Sequence, residues 1–185
     1  MLRFITTTLS VALILSLSAA AQDDKRDKNL DVRSPVGDLH VGKDADALKA
    51  GLPLYPGAHP QDKDNDDPVN LALSTDNFGM KLIVAKYETP DPAEKVLNFY
   101  RDKMKKYGRV LECHNTNDKS GDHNLDDNKE GSQPVKCAGD NSGPVRELKV
   151  GTDDNQHIVA LEDPKESKAT KFVLIYLRKH QKGDI

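Results

Sequence analysis

Acidic residues in the segment 62–67 (DKDNDD) stand at alternate positions, a rhythm that opens many calcium-binding loops. Ca²⁺ takes about six to eight hard oxygen ligands, and alternate carboxylates on a tight loop can point several of them inward. The motif is incomplete, because Asp67 stands where the turn-making glycine belongs. Asp62, Asp64 and Asp66 are therefore calcium candidates, and a solvated acidic loop is the alternative.

A second candidate for chemistry is His157, which lies in the apolar run QHIVAL (156–161). An imidazole there could act as a general base or a metal ligand, and the alternative is a core histidine that a neighbour satisfies. No partner acid or nucleophile can be assigned, and the sequence contains no G-x-S-x-G, H-E-x-x-H or P-loop pattern. The missing motifs favour a non-enzymatic protein, with an undescribed hydrolase using His157 as a further alternative.

The N-terminus has the pattern of a secretory signal peptide. Arg3 supplies the positive charge, an apolar stretch is centred on residues 11–17, and the small residues 19–21 (AAA) precede Gln22. We therefore predict a signal peptide over residues 1–21 and an exported, periplasmic or extracellular protein. No later apolar run is long enough for a transmembrane span in the mature chain.

Export determines how the two cysteines are interpreted. In an oxidising compartment Cys113 and Cys137 are expected to form a disulfide bond that closes a polar loop over 113–137. The alternative is a metal site that adds His114 and His123, but its spacing matches no zinc pattern. Apart from calcium, we expect no cofactor.

Composition limits the remaining classes. The chain has 185 residues, 31% of them charged and 5% aromatic, with a formal net charge of −3. That length fits one domain. The acidic balance argues against a nucleic-acid partner, which needs a basic surface to neutralise phosphates.

Hydrophobic periodicity predicts the elements that carry these residues. We expect a flexible charged leader at 22–50 with a short strand at 38–41, an α+β domain at 51–180 and a short tail at 181–185. Alternation predicts a hairpin of strands 69–74 and 80–88. Apolar residues at three- and four-residue spacings predict a helix over 92–107, with Asp91 as its N-cap and Glu94 in a capping box.

The pattern then returns to strands. We predict them at 109–113, 145–152, 156–162 and 171–179, the last three as an antiparallel meander. Phe172–Leu177 is apolar on both faces and is therefore expected at the centre of the sheet. The predicted fold is mainly antiparallel, with about six strands in the order β-β-α-β-β-β-β and one long helix packed on one face.

The segment 51–60 (GLPLYPGAHP) contains the turn chemistry of Pro56 and Gly57. An aromatic–Pro–Gly turn is rigid and costs little entropy to present. Tyr55, Pro56 and Gly57 are therefore predicted to form a binding surface.

Three blocks together resemble a family of small exported proteins from Gram-negative bacteria. They are LPLYPGA (52–58), EKVLNFYRDKMKKYGRVLEC (94–113) and LKVGTDDNQHIVAL (148–161). The family has no established activity, so the resemblance implies an exported bacterial protein but no catalytic or binding residue. The element order is also similar to that of the PsbP/Mog1-like fold, which does not by itself imply a function.

The sequence therefore predicts a small exported binding or accessory module. Its expected partner is an unidentified protein or cell-envelope component. Calcium binding by segment 62–67 is the alternative function.

Overall fold

The sheet is the largest feature of the computed structural model, which describes residues 29–61, 67–115, 132–137, 141–162 and 168–181. Nine strands in these ranges pair antiparallel in one sheet. They are β1 (Leu30–Ser34), β2 (Gly37–Gly42), β3 (His59–Pro60), β4 (Val69–Ser74), β5 (Phe78–Thr89), β6 (Leu111–Asn115), β7 (Val145–Thr152), β8 (Asn155–Leu161) and β9 (Thr170–Gln181). One α-helix, α1 (Ala93–Met104), continues as a 3₁₀ turn over Lys105–Tyr107.

The spatial order of the strands is β1-β2-β4-β5-β9-β8-β7-β6, and the short β3 pairs with β5 beside this path. The predicted hairpin is confirmed as β4 and β5, and the predicted meander as β7, β8 and β9. β9 lies between β5 and β8, which confirms that Phe172–Leu177 is central. The mainly antiparallel α+β architecture, with one α-helix in the described part of the chain, is thus confirmed.

The predicted number of about six strands is wrong, because β1, β2 and β3 are additional. β1 and β2 form a hairpin inside the segment 22–50 that was predicted as a flexible leader, and β2 pairs with β4. The sheet therefore begins at Leu30, well before the first strand predicted for the domain at 69–74. Apolar and charged residues alternate in this hairpin, so one side of it is apolar while the mean composition stays polar.

Helix α1 is held by one buried stripe of apolar side chains. Its residues Val96, Leu97, Tyr100 and Met104 are buried, as their three- and four-residue spacing predicts. The helical segment ends at Gly108, whose φ of 130° is accessible to glycine and rarely to other residues.

The predicted helix cap is wrong. Pro92 occupies the N-cap position, and no side chain caps the helix. The carboxylate of Asp91 instead accepts hydrogen bonds from the Tyr55 hydroxyl and from Lys95 Nζ, and Glu94 pairs with Arg146. Both carboxylates therefore contact other side chains instead of capping the backbone N–H groups at the start of the helix.

The core lies between the sheet and the helix. Side chains on the helix side of the central strands join the buried stripe of α1, together with residues of the segment 45–55. The core comprises Ala45, Ala47, Ala50, Leu52, Tyr55, Ile83, Ala85, Tyr87, Val96, Leu97, Tyr100, Met104, Leu148, Val150, Val159, Leu161, Phe172 and Leu174. One face of the sheet is thus covered by the helix and by the segment that precedes β3.

Several predictions concern residues outside the described ranges. These are the signal peptide at 1–21, the acidic residues Asp62, Asp64 and Asp66, and most of the cysteine loop and of the C-terminal tail. In the part of the chain that is described, no helix has the length and apolar character needed to cross a membrane.

Candidate binding surface

The predicted surface around Tyr55 divides into a buried and an exposed part. The Tyr55 ring is only 6% exposed and packs edge-on against Phe99 and Phe172. Its hydroxyl donates a hydrogen bond of 2.8 Å to Asp91 Oδ2. Pro56 and Gly57 are exposed, so they alone of the three predicted residues face solvent.

The Tyr55–Asp91 contact also contributes to the pKa shifts of both groups. The Tyr55 hydroxyl, followed by Lys95, holds the pKa of Asp91 below its ordinary value. Burial, followed by the hydrogen bond to Asp91 and then by the Asp91 charge, raises the pKa of Tyr55. Because the ring is part of the core and its hydroxyl is used within the protein, Tyr55 acts as a packing residue.

His157 lies on the helix side of the sheet between two tyrosine rings. Its ring centroid is 3.8 Å from that of Tyr107 and 4.8 Å from that of Tyr176, both in stacked orientation. Its Nδ1 lies 3.0 Å from the carbonyl oxygen of Ala50, which can only accept a hydrogen bond, so Nδ1 carries the proton. Burial lowers the pKa of the imidazole, and Lys106 adds to this effect while the bond to Ala50 opposes it.

This environment is that of a structural histidine. A catalytic base of a hydrolase is commonly oriented by a carboxylate and lies beside a nucleophile. At His157 the orienting group is instead a backbone carbonyl, and the stacked rings cover both faces of the imidazole. The hydrolase hypothesis therefore gains no support from the geometry.

Cys113 and Cys137 form the predicted disulfide bond, with an S–S distance of 1.99 Å and a Cα–Cα distance of 5.3 Å. Both sulfurs are thereby used, so neither is a thiolate ligand for the alternative metal site, whose His123 lies outside the described residues. Across the described ranges no group of three or more His, Cys, Asp or Glu side chains is arranged to hold a metal ion. Calcium binding by segment 62–67 stays a prediction.

The structure also contains a buried ion pair that sequence reasoning missed. Lys149 Nζ lies 2.6 Å from Glu147 Oε1, and both side chains are almost fully buried. Asn115 Nδ2 donates to the same carboxylate oxygen, while Asn115 Oδ1 is buried without a hydrogen-bond partner. The sequence does carry a signal for this pair, because residues two apart in a strand share a face.

The largest candidate surface is the face of the sheet that points away from the helix. Strand alternation and the pairing register place apolar side chains of five neighbouring strands on this face. We call this set the apolar sheet face; it consists of Leu30, Val32, Leu39, Val41, Val69, Leu71, Leu73, Met80, Leu82, Val84, Val173, Ile175 and Leu177. None of these described residues belongs to the core on the helix side.

On the apolar sheet face the side chains of the central strand β9 are the most buried and those of β1 the most exposed. Leu177 in the centre of the sheet is 8% exposed, the apolar side chains of β4 and β5 are mostly half-buried, and Val41 and Leu30 are 36% and 55% exposed. Four of the seven exposed large hydrophobic residues in the described chain belong to this face. Scattered surface hydrophobics are normal, whereas a contiguous apolar patch marks an interaction site.

The opposite side of β1, β2 and β4 is mostly polar. Asp31 of β1 and His40 of β2 lie there and contact each other through His40 Nδ1 and Asp31 Oδ1 at 2.7 Å. Asn70 of β4 lies on that side too and donates to Asp44. The strands β1, β2 and β4 are therefore amphipathic, and their apolar side is the one away from the helix.

Charged residues bound the apolar sheet face at both ends. Lys86 follows Val84 on the same side of β5, Lys171 precedes Val173 on β9, and Lys179 follows Leu177. An apolar centre with a charged rim is the anatomy of a protein–protein interface.

A comparison of the chain with family models, with curated proteins and with solved structures finds no match to any of them.

Proposed function

We propose that this protein is an exported, non-catalytic binding module and that the apolar sheet face is its binding surface. The observation that supports this proposal is the run of apolar side chains that becomes more exposed from β9 to β1. Leaving such a surface in water is unfavourable by about 25 cal/mol for each Å² of apolar area. A partner that covers this face gains the corresponding free energy.

Two features support export. The disulfide bond between Cys113 and Cys137 is of the kind that persists in oxidising compartments. The sequence of residues 1–21 has the pattern of a signal peptide. The partner is therefore expected in the periplasm or outside the cell.

The apolar dye ANS tests whether the face is open to ligands. We expect the oxidised protein at high dilution to raise ANS fluorescence, because the dye binds accessible apolar surface. Val41→Lys places a charge near the end of β2 on this face and should reduce the fluorescence several-fold. Val36→Lys is the matched control, since Val36 is exposed in the turn between β1 and β2.

Both variants must unfold cooperatively in urea, which excludes loss of packing as the cause of any difference. Equal fluorescence from Val41→Lys and Val36→Lys would contradict the proposal, because dye binding would then be independent of the apolar sheet face. Loss of fluorescence in Val41→Lys alone would support it.

A further inference from the structure

We infer that the occupant of the apolar sheet face is the same face of a second copy of this chain. This inference rests on the proposed function, since it names the partner of that surface. The two sheets would pack face to face, with a helix layer on each outer side.

The first argument is the shape of the surface. Its side chains come from five adjacent, pleated strands, so the surface is an extended sheet face. Drug-sized ligands are bound in concave sites that bury most of their area. A pleated apolar face is instead the surface by which two sheets pack, about 10 Å apart, in a β-sandwich.

The second argument is the number of layers. An apolar sheet face is stable in water when another layer covers it, and here the helix side is covered by α1 and the segment 45–55. On the other side, the apolar side chains grow more exposed from β9 toward β1 in the described chain. A second copy supplies an apolar layer of the same width and length.

The third argument is area. Five strands at about 4.8 Å spacing carry the face, with three apolar side chains along β4, β5 and β9 and two along β1 and β2. At about 7 Å between side chains along a strand, they cover about 440 Å². Two copies would bury about 900 Å² in total, just below the roughly 1,000 Å² of a stable specific interface and in the range of weak, transient ones. We therefore expect a weak, reversible dimer.

The fourth argument is composition. The face presents Val, Leu, Ile and Met side chains and has its lysines at the ends, so its centre leaves no buried polar group unsatisfied when it meets an identical centre. A two-fold axis through the face makes each patch its own complement and closes the assembly at two copies.

The test is sedimentation velocity of the purified, oxidised protein across the micromolar range. We expect a monomer–dimer equilibrium. Its dissociation constant should rise at least tenfold in Val41→Lys and stay unchanged in Val36→Lys. Leu30→Lys and its control Leu48→Lys form a second matched pair, because both leucines are exposed and only Leu30 lies on the face. This pair keeps the test valid if Val41→Lys fails to fold.

The outcomes separate the dimer from the proposed function. A monomer at all concentrations whose ANS fluorescence is lost in Val41→Lys overturns the dimer and leaves the face available to a different partner. A dimer that neither Val41→Lys nor Leu30→Lys weakens overturns the dimer through this face. A monomer with no face-dependent ANS signal overturns both the dimer and the proposed function.

Discussion

The Nδ1 atom of His157 in β8 lies 3.0 Å from the backbone carbonyl oxygen of Ala50. The two residues are 107 positions apart in the chain, and their contact fastens the segment before β3 to the sheet. The hydroxyl of Tyr107 donates to the next carbonyl, that of Gly51, so the same segment is held from the sheet and from the end of the helix. Because His157 is a proton donor within the core, its protonation is linked to folding.

We expect His157 to make the free energy of unfolding fall as the pH is lowered. Burial lowers the pKa of His157 in the folded protein, whereas the unfolded chain has the ordinary value of about 6.5. Below pH 6.5 the unfolded state therefore binds more protons than the folded state, and stability declines until the lower folded-state pKa is reached. His157→Phe should flatten this slope in urea unfolding measured from about pH 7.5 to about pH 5.

The control for this prediction is His59→Phe, which changes an exposed imidazole. It should leave the pH dependence of the unfolding free energy in place. A slope that survives His157→Phe unchanged would show that the acid-sensitive group lies elsewhere.

Tyr55 should behave as a core residue. Tyr55→Ala removes a buried ring from its contacts with Phe99 and Phe172 and is expected to cost about 3–5 kcal/mol of unfolding free energy. Tyr55→Phe keeps the ring, costs less, and should raise the pKa of Asp91 toward its ordinary value, which an NMR titration measures. Pro56→Ala, in the exposed turn, is the matched control; a Tyr55→Ala protein as stable as Pro56→Ala would refute the assignment.

The buried pair of Glu147 and Lys149 should show strong coupling. Lys149→Met leaves the Glu147 carboxylate without its cation and is expected to cost about 3–5 kcal/mol. The double variant Lys149→Met/Glu147→Gln removes both charges and should cost less than the sum of the two single changes. A double-mutant cycle by urea unfolding measures this, and additive costs would show that the two charges do not interact.

The disulfide bond should contribute through the unfolded state. It joins residues 24 positions apart, and for a loop of that length the chain-entropy model gives about 3.5 kcal/mol. Reduction should lower the unfolding free energy by this order in urea melts with and without dithiothreitol. An equal midpoint in both conditions would mean that the bond does not constrain the unfolded chain.

The elements that were predicted well are those whose hydrophobic pattern lies within a short stretch of the sequence. The buried stripe of α1 and the apolar run of β9 are patterns of adjacent residues, so helix and central strand could be recognised without knowing the fold. β1 was missed, and β2 was foreseen only as a short strand at 38–41 within a flexible leader, because their charged positions dominate the mean composition. Only pairing with β4, a neighbour in space, shows that the apolar positions between them form one side of a sheet.

The sites were harder to predict because they depend on contacts between distant residues. The sequence shows an aromatic–Pro–Gly turn at 55–57, but the inward direction of the Tyr55 ring depends on Phe99 and Phe172. Alternation showed that β4 and β5 each have an apolar side. It did not show that these apolar sides point away from the helix, and so the apolar sheet face could not be recognised as exposed.

The central claim, that the apolar sheet face is a binding surface, is tested most directly by site-specific photo-crosslinking in the cells that produce the protein. A photoreactive phenylalanine derivative is placed at Val41 or, as the control, at Val36. We predict a discrete crosslinked adduct from position 41 and none from position 36, with a mass of twice the chain if the partner is a second copy. No adduct from position 41, or the same adducts from both positions, would contradict the account.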